Sequence, residues 1–348
     1  MAYQMKPFLP TSARPPILAL FILANGGASA ATVVRSGIEF CIVGAAGNRE
    51  PNASEMPDVV GNRRPGAVGY EYALAKTETT AAQYLEFLRA YSTFHPVNPF
   101  DGGETGSYIY GETTPLGLRL DLVSPTVKNR PSDFSWRMAA RLCNWLHNDK
   151  AMTKEAFERG AYDTSTFGRD ASGLYTDQIV RSAGAKFWIP NADEWVKGAY
   201  YDPNRYGQGL EGYWRYSGKS EVQLKAGSPL EGGQTNAGDL FTGDGVPLDV
   251  GSYQAIQSAW GLLDTCGGQY EWLDGLVNPN ELGFGVDYAG ARIGNIDAQV
   301  AFYDKLGHFG GSFPIFGSAG LRLATIVPAP GSLLVGFGGI LTARRKRR

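Results

Sequence analysis

The side chains best suited to redox or metal chemistry are few here. The 348-residue chain has three cysteines, Cys41, Cys143 and Cys266, and three histidines, His95, His147 and His308. A structural zinc site needs paired ligands at close spacing, and these cysteines are too far apart to supply them. The histidines stand alone, with no H-x-H or H-x₃-H spacing, and read as surface or structural residues. Cys143 falls on an apolar helical face, where a small hydrophobe is the plainer role. A disulfide between Cys143 and Cys266 suits an oxidising compartment, and the sequence leaves it open. No phosphate loop, G-x-S-x-G elbow or H-E-x-x-H pair occurs, so no catalytic or cofactor-binding residue is assigned. Aromatic residues are plentiful: Tyr200, Tyr201, Tyr206, Tyr213, Trp214 and Tyr216 crowd one loop-rich stretch. They either pack a core short of aliphatics or line a groove for peptide or glycan.

The elements that must position these residues follow from composition and periodicity. Lys+Arg number 32 against 34 Asp+Glu, a net charge of −2 that offers no basic footprint for nucleic acid. Hydrophobic residues at 43% argue against intrinsic disorder. The 46 glycines and 20 prolines, without a G-X-Y period, exclude collagen and point to many turns. Three helices are predicted. Residues 79–91 place Tyr84, Phe87, Leu88 and Tyr91 on one face, and residues 135–147 do the same with Ala139, Leu142, Cys143 and Leu146 behind Ser135 as N-cap. Residues 191–200 open on a capping box, Asn191 with Glu194. The rest breaks into short strands and structured loops. The expectation is a single α+β domain over residues 37–326, poor in regular structure.

Both ends read as signals. Residues 1–30 have the form of a secretory signal peptide: Lys6 and Arg14, the apolar run Pro16–Ala24, then Ala28-Ser29-Ala30. Nine apolar residues fall short of the roughly 20 that span a bilayer. Residues 327–348 run from Val327-Pro328-Ala329-Pro330 through the small apolar stretch Gly331–Ala343 to Arg344-Arg345-Lys346-Arg347-Arg348. This tail resembles the PEP-CTERM segments that exosortase systems of Gram-negative bacteria recognise, although the family's Pro-Glu-Pro has Ala329 in its middle. The other reading is a short membrane anchor held by positive-inside arginines. On either reading the domain is exported to the cell envelope or beyond, with the tail a transient anchor and the exosortase a partner.

Five stretches, in order, resemble the sulfatase-modifying-factor, or formylglycine-generating-enzyme, family. Lys76-Thr77-Glu78-Thr79-Thr80 with Gln83-Tyr84 is similar to the opening KxEVTxxQY. Ser135-Trp136 through Cys143-Asn144-Trp145-Leu146 is similar to SWxxAxxfcNWL. Ile189-Pro190-Asn191-Ala192-Asp193-Glu194-Trp195 with Ala199-Tyr200-Tyr201 resembles LPTExEWExAAYY. Trp260-Gly261-Leu262-Leu263-Asp264 through Gly267, Glu271 and Trp272 resembles fGLyDMxGNVWEW. Gly320-Leu321-Arg322-Leu323-Ala324 is similar to the closing GFRLA. The resemblance implies a C-type-lectin-like fold with two sheets, few helices and much coil.

It also implies a chemistry that this chain departs from. Family enzymes bind copper(I) through two cysteines near the C-terminus, as a soft ion requires, and with oxygen oxidise a sulfatase cysteine. Here the comparable stretch, Ala289-Gly290-Ala291-Arg292 through Phe313, holds no cysteine, and Gly310-Gly311-Ser312 lies too close to Gly320 to stand in for the catalytic loop. Copper-dependent formylglycine synthesis is therefore not expected. What the resemblance leaves is calcium, which takes six to eight hard oxygens. The implied ligands of one site are Asp264, the carbonyls of Gly267 and Gln269, and Glu271, in a turn where the family's usual Asn is Gly268. A second set is Asn236, the Ala237 carbonyl, Asp244 and the Val246 carbonyl. Plain solvated loop carboxylates are the other reading of both. The functional expectation is an exported, calcium-stabilised binding or surface-matrix module with a peptide or glycan ligand. The rival is a divergent oxidoreductase acting on a protein or small thiol.

Overall fold

The computed structural model describes residues 31–57, 64–173, 175–236, 248–275, 306, 314–317 and 319–327. Residues 1–30, residues 328–348 of the C-terminal signal, His308, the stretch 289–313 apart from Leu306, and the expected ligands Ala237, Asp244 and Val246 lie outside these residues.

Five strands form an antiparallel sheet in the order β1-β2-β3-β9-β6: β1 Thr32–Arg35, β2 Ile38–Val43, β3 Tyr72–Ala75, β6 Phe187–Trp188 and β9 Ala324–Thr325. The last of the described strands sits between two made much earlier, with Leu74 opposite Ala324 on one side and Trp188 opposite Ala324 on the other. All residues of β3, β6 and β9 are buried. That explains why their sequences are apolar apart from Thr325, whose hydroxyl is satisfied by the Lys186 carbonyl, since a strand covered on both faces shows no polar alternation. Two small hairpins complete the strands, β4 Ile109–Thr114 with β5 Gly117–Leu122, and β7 Tyr201–Asp202 with β8 Gly212–Tyr213. No closed barrel is formed among the described residues.

The three expected helices are present as α1 Ala81–Tyr91, α3 Trp136–His147 and α5 Ala192–Tyr200; two single turns, α2 Gly102–Thr105 and α4 Glu155–Glu158, lie between them. Thr80 caps α1 in a box with Gln83, Ser135 caps α3 and Asn191 caps α5 in a box with Glu194. Each cap satisfies amide groups that the first turn leaves without a partner. The four residues expected on each apolar face of α1 and α3 are buried. No described helix is long and apolar enough to cross a membrane.

The larger core lies between the sheet, α1 and α3; a smaller one forms around α5 with Met56, Tyr213 and Leu273. Two indoles of the larger core are pinned by backbone carbonyls, whereas the Trp145 Nε1 finds no partner among the described residues. Trp272 Nε1 donates to the Phe134 carbonyl at 2.7 Å and Trp136 Nε1 to the Leu273 carbonyl at 3.2 Å. The Asn144 side chain, fully buried, bonds the Phe157 carbonyl and both backbone groups of Tyr162. An interior amide is tolerable only when satisfied in this way.

Candidate functional site

The turn after Trp260 meets the C-terminal strand in a buried charge cluster. Arg322, 0% exposed, stands next to β9 and reaches across the sheet. Its Nη2 donates to Glu271 Oε1 at 2.8 Å and its Nε to the same oxygen at 3.0 Å. Its Nη1 donates to the carbonyls of Ala75 and Lys76, each at 3.0 Å, and Nη2 also reaches the Asp264 carbonyl at 3.1 Å. One planar guanidinium thus ties the end of β3, the turn and the closing segment together, a geometry that lysine does not offer. Glu271 Oε2 also accepts from Trp195 Nε1 on α5.

Glu78, just before α1, is the residue that sequence reasoning missed as part of this site. It is buried, its Oε1 accepts from Gln269 N at 3.1 Å, and its Oε2 has no hydrogen-bond partner among the described residues. Burial pushes its carboxyl well above the usual range, and the nearby Asp264 charge adds to this. Burial likewise raises Asp264 to about 6, against the pull of the Gly251 N–H and Arg322. Gly268 packs directly against Glu78. Its φ is +72°, and a Cβ there would meet Glu78 Oε1 at 2.0 Å, so neither asparagine nor alanine fits without a shift.

Of the expected calcium ligands, Asp264, Gly267, Gln269 and Glu271 share this turn. Asn236, assigned to the second set, joins them: its Oδ1 accepts from Gly268 N at 2.8 Å. The Gly267 and Gln269 carbonyls make no hydrogen bond to a described residue. Among the described residues no three His, Cys, Asp or Glu side chains converge to hold a metal, so a cation here would depend on backbone carbonyls. The donor set is all hard oxygen, and the lone Glu78 Oε2 is a buried acceptor still open. Both features suit calcium in kind. Glu271 suits it less, since Arg322 and Trp195 already occupy both its oxygens.

The three cysteines are all buried and none forms a disulfide, which answers the Cys143–Cys266 question. Burial pushes the Cys41 thiol up to about 11 and the Cys143 thiol well above its ordinary value, the opposite of an activated thiolate. The aromatic stretch divides. Tyr200, Tyr201, Tyr213 and Tyr216 are buried in the fold, whereas Tyr206 is exposed and Trp214 lies half-buried with the Arg205 guanidinium 3.6 Å above its ring.

A separate depression of about 570 Å³ opens between Tyr70, the loop Val180–Ala185 and the end of β9. Its wall is organised by Glu194, 0% exposed. The Glu194 carboxylate accepts from the Tyr70 hydroxyl at 2.7 Å, Arg181 Nη1 at 3.0 Å, Trp188 Nε1 at 3.1 Å and Asn191 N at 2.9 Å. The capping role of Glu194 was legible in the sequence; its hold on three distant side chains was not.

Comparison with known proteins gives little more. No protein-family model matches the chain, and no curated protein matches it. The crystal structure of CarF aligns at 17% identity and a TM-score of 0.47, over 84% of this chain and 100% of CarF. PvdO from Pseudomonas aeruginosa aligns at 13% identity and 0.49, over 86% and 99%. Treponema denticola variable protein 1 aligns at 16% identity and 0.45, over 85% and 99%. At these scores the likenesses carry no functional assignment. The chain is a mixed α+β protein whose closing segment is locked to its early strands through Arg322 and Glu271.

Proposed function

We propose that this chain is a formylglycine-generating-enzyme-like domain of C-type-lectin-like topology that serves as an exported binding or surface-matrix module and not as a copper oxidase. The observation that carries the reading is the state of its thiols. Cys41 and Cys143 are buried in the larger core and Cys266 is buried in a small separate cluster with Leu224, and burial disfavours the thiolate form of Cys41 and Cys143. Copper(I) needs accessible, deprotonated sulfur. The test is incubation of the purified protein with copper, oxygen and a sulfatase-type cysteine peptide. No aldehyde is expected, and turnover to aldehyde ends this reading in favour of the oxidoreductase.

In this reading calcium is structural. Asp264 and the Gly267 and Gln269 carbonyls would hold it, with Glu78, Asn236 and Glu271 around them. The ion would offset the carboxylate charge that Arg322 leaves unbalanced. Glu271→Ala is expected to lower the melting temperature more in calcium than in chelator. Equal losses in both would mean that Glu271 serves Arg322 alone. Ala237, Asp244 and Val246 remain candidates for a second ion. Metal analysis of untagged protein separates the readings: calcium alone favours the module, stoichiometric copper or iron the enzyme. Export through residues 1–30, and exosortase sorting or brief anchoring by residues 327–348, complete the proposal. Cell fractionation that left the full chain in the cytoplasm would remove that part.

A further inference from the structure

We infer that the depression beside Tyr70 is a binding site for one neutral sugar residue of a glycan; this rests on the binding-module reading and names its ligand. At about 570 Å³ the space falls within the 300–1,000 Å³ range of small-molecule sites.

The wall of the depression is preorganised. Tyr70, Arg181, Trp188 and Asn191 all line the depression, and Glu194 binds every one of them from behind. An N-cap box needs only the Asn191 amide. The remaining bonds fix three side chains that would otherwise lose rotamer freedom when a ligand arrived. Arg181 is held further by its guanidinium over the Trp188 ring at 4.2 Å and by its backbone N–H to Asp274 Oδ2 at 2.9 Å.

Charge in the wall is largely paired. Arg181 is the cation of the wall, and its 2.9 Å ion pair with Glu194 neutralises it. Glu71, exposed at the rim, adds a carboxylate with no ion pair to a described residue. Glu194 cancels the charge of Arg181, so no positive charge remains for a phosphate or a carboxylate; of the acids in the lining, burial pushes Asp274 up to about 8 and leaves Glu71 as the exposed carboxylate. An anion is disfavoured, and a neutral ligand can bond these groups without leaving a charge of its own unpaired.

The lining mixes polar and apolar groups. The rim offers acceptors on Glu71 and donors on Asn191 Nδ2, which makes no hydrogen bond to a described residue. Tyr70, 43% exposed, presents part of its ring, and Val180, Ile326 and Val327 supply apolar surface. Adjacent hydroxyls of a pyranose need donors and acceptors together, and its C–H face needs an aromatic or apolar surface.

The test applies the full chain to an array of oligosaccharides built from neutral hexoses, N-acetylhexosamines and uronic acids, followed by calorimetry on the best binder. Ala183→Trp fills the mouth from an exposed loop position, and Tyr70→Ala removes the ring. Each is expected to weaken binding at least tenfold with little change in melting temperature for Ala183→Trp. Leu230→Ser, at a 97% exposed position outside the depression, should bind as wild type. Binding that survives Ala183→Trp, an array with no neutral binder, or binders confined to uronates each overturns the inference. An array with no binder would still leave the module reading standing, whereas aldehyde formation with copper would end that reading whatever the array showed.

Discussion

Lys197 shows how far this interior goes in accommodating charge. It lies on α5 and is 0% exposed, its Nζ donating to the Ala45 carbonyl at 3.0 Å. Burial lowers its pKa to about 8, against the pull of Glu71 and Glu211. The unfolded chain keeps the same proton up to roughly pH 10.4. Between those values the unfolded state binds more protons, so this group's contribution to stability rises with pH. Denaturant titrations of wild type and Lys197→Met should therefore diverge: moving from about pH 7 to about pH 9.5 favours wild type relative to the variant. Parallel profiles would mean that Lys197 is not buried as a cation. Gly268 supplies a second residue-scale expectation. Gly268→Ala combines a left-handed φ with a close approach to Glu78, and should cost about 1–3 kcal/mol. Adding Glu78→Ala should recover part of that loss, since only the backbone strain would remain. Neither effect was legible in the sequence. The KTETT stretch and the glycine turn lie far apart in the chain, and nothing in either announces the other.

At the scale of elements, the helices were legible and the sheet was not. Periodicity and caps are local signals, so α1, α3 and α5 appeared with their boundaries within two residues of the structure. Asn191→Ala tests the strongest of these caps. Loss of its bond to Glu194 N should cost about 1 kcal/mol, read as a lower denaturant midpoint at unchanged slope. A loss of several kcal/mol would show instead that the Glu194 network had come apart with it. The strands gave weaker signals because β6 and β9 are two residues each. Their pairing partners stand more than a hundred positions away in sequence, and no short-range pattern encodes such a choice. The aromatic stretch around Tyr200 failed to declare itself for a similar reason, since burial depends on what packs over it.

At the scale of the molecule, the arrangement of charge separates two sites. The cluster of Glu78, Asp264, Glu271 and Arg322 is closed and links distant segments, while the Tyr70 depression is open and held by one carboxylate behind its wall. Sequence reasoning singled out the turn Asp264–Glu271 as a calcium site without linking it to Glu78 or Arg322, and had no means to find the second site, whose members come from β3's approach, the loop before β6 and the N-terminus of α5. The position of β9 has a consequence for biogenesis. The slot between β3 and β6 can be filled only by Ala324–Thr325, so the central sheet stays incomplete while the ribosome is still making the preceding residues. Nascent chains arrested before residue 320 should remain protease-sensitive throughout, and those long enough to expose Thr325 should become resistant in one step. A protein that delays closure in this way stays threadable for as long as it is being synthesised.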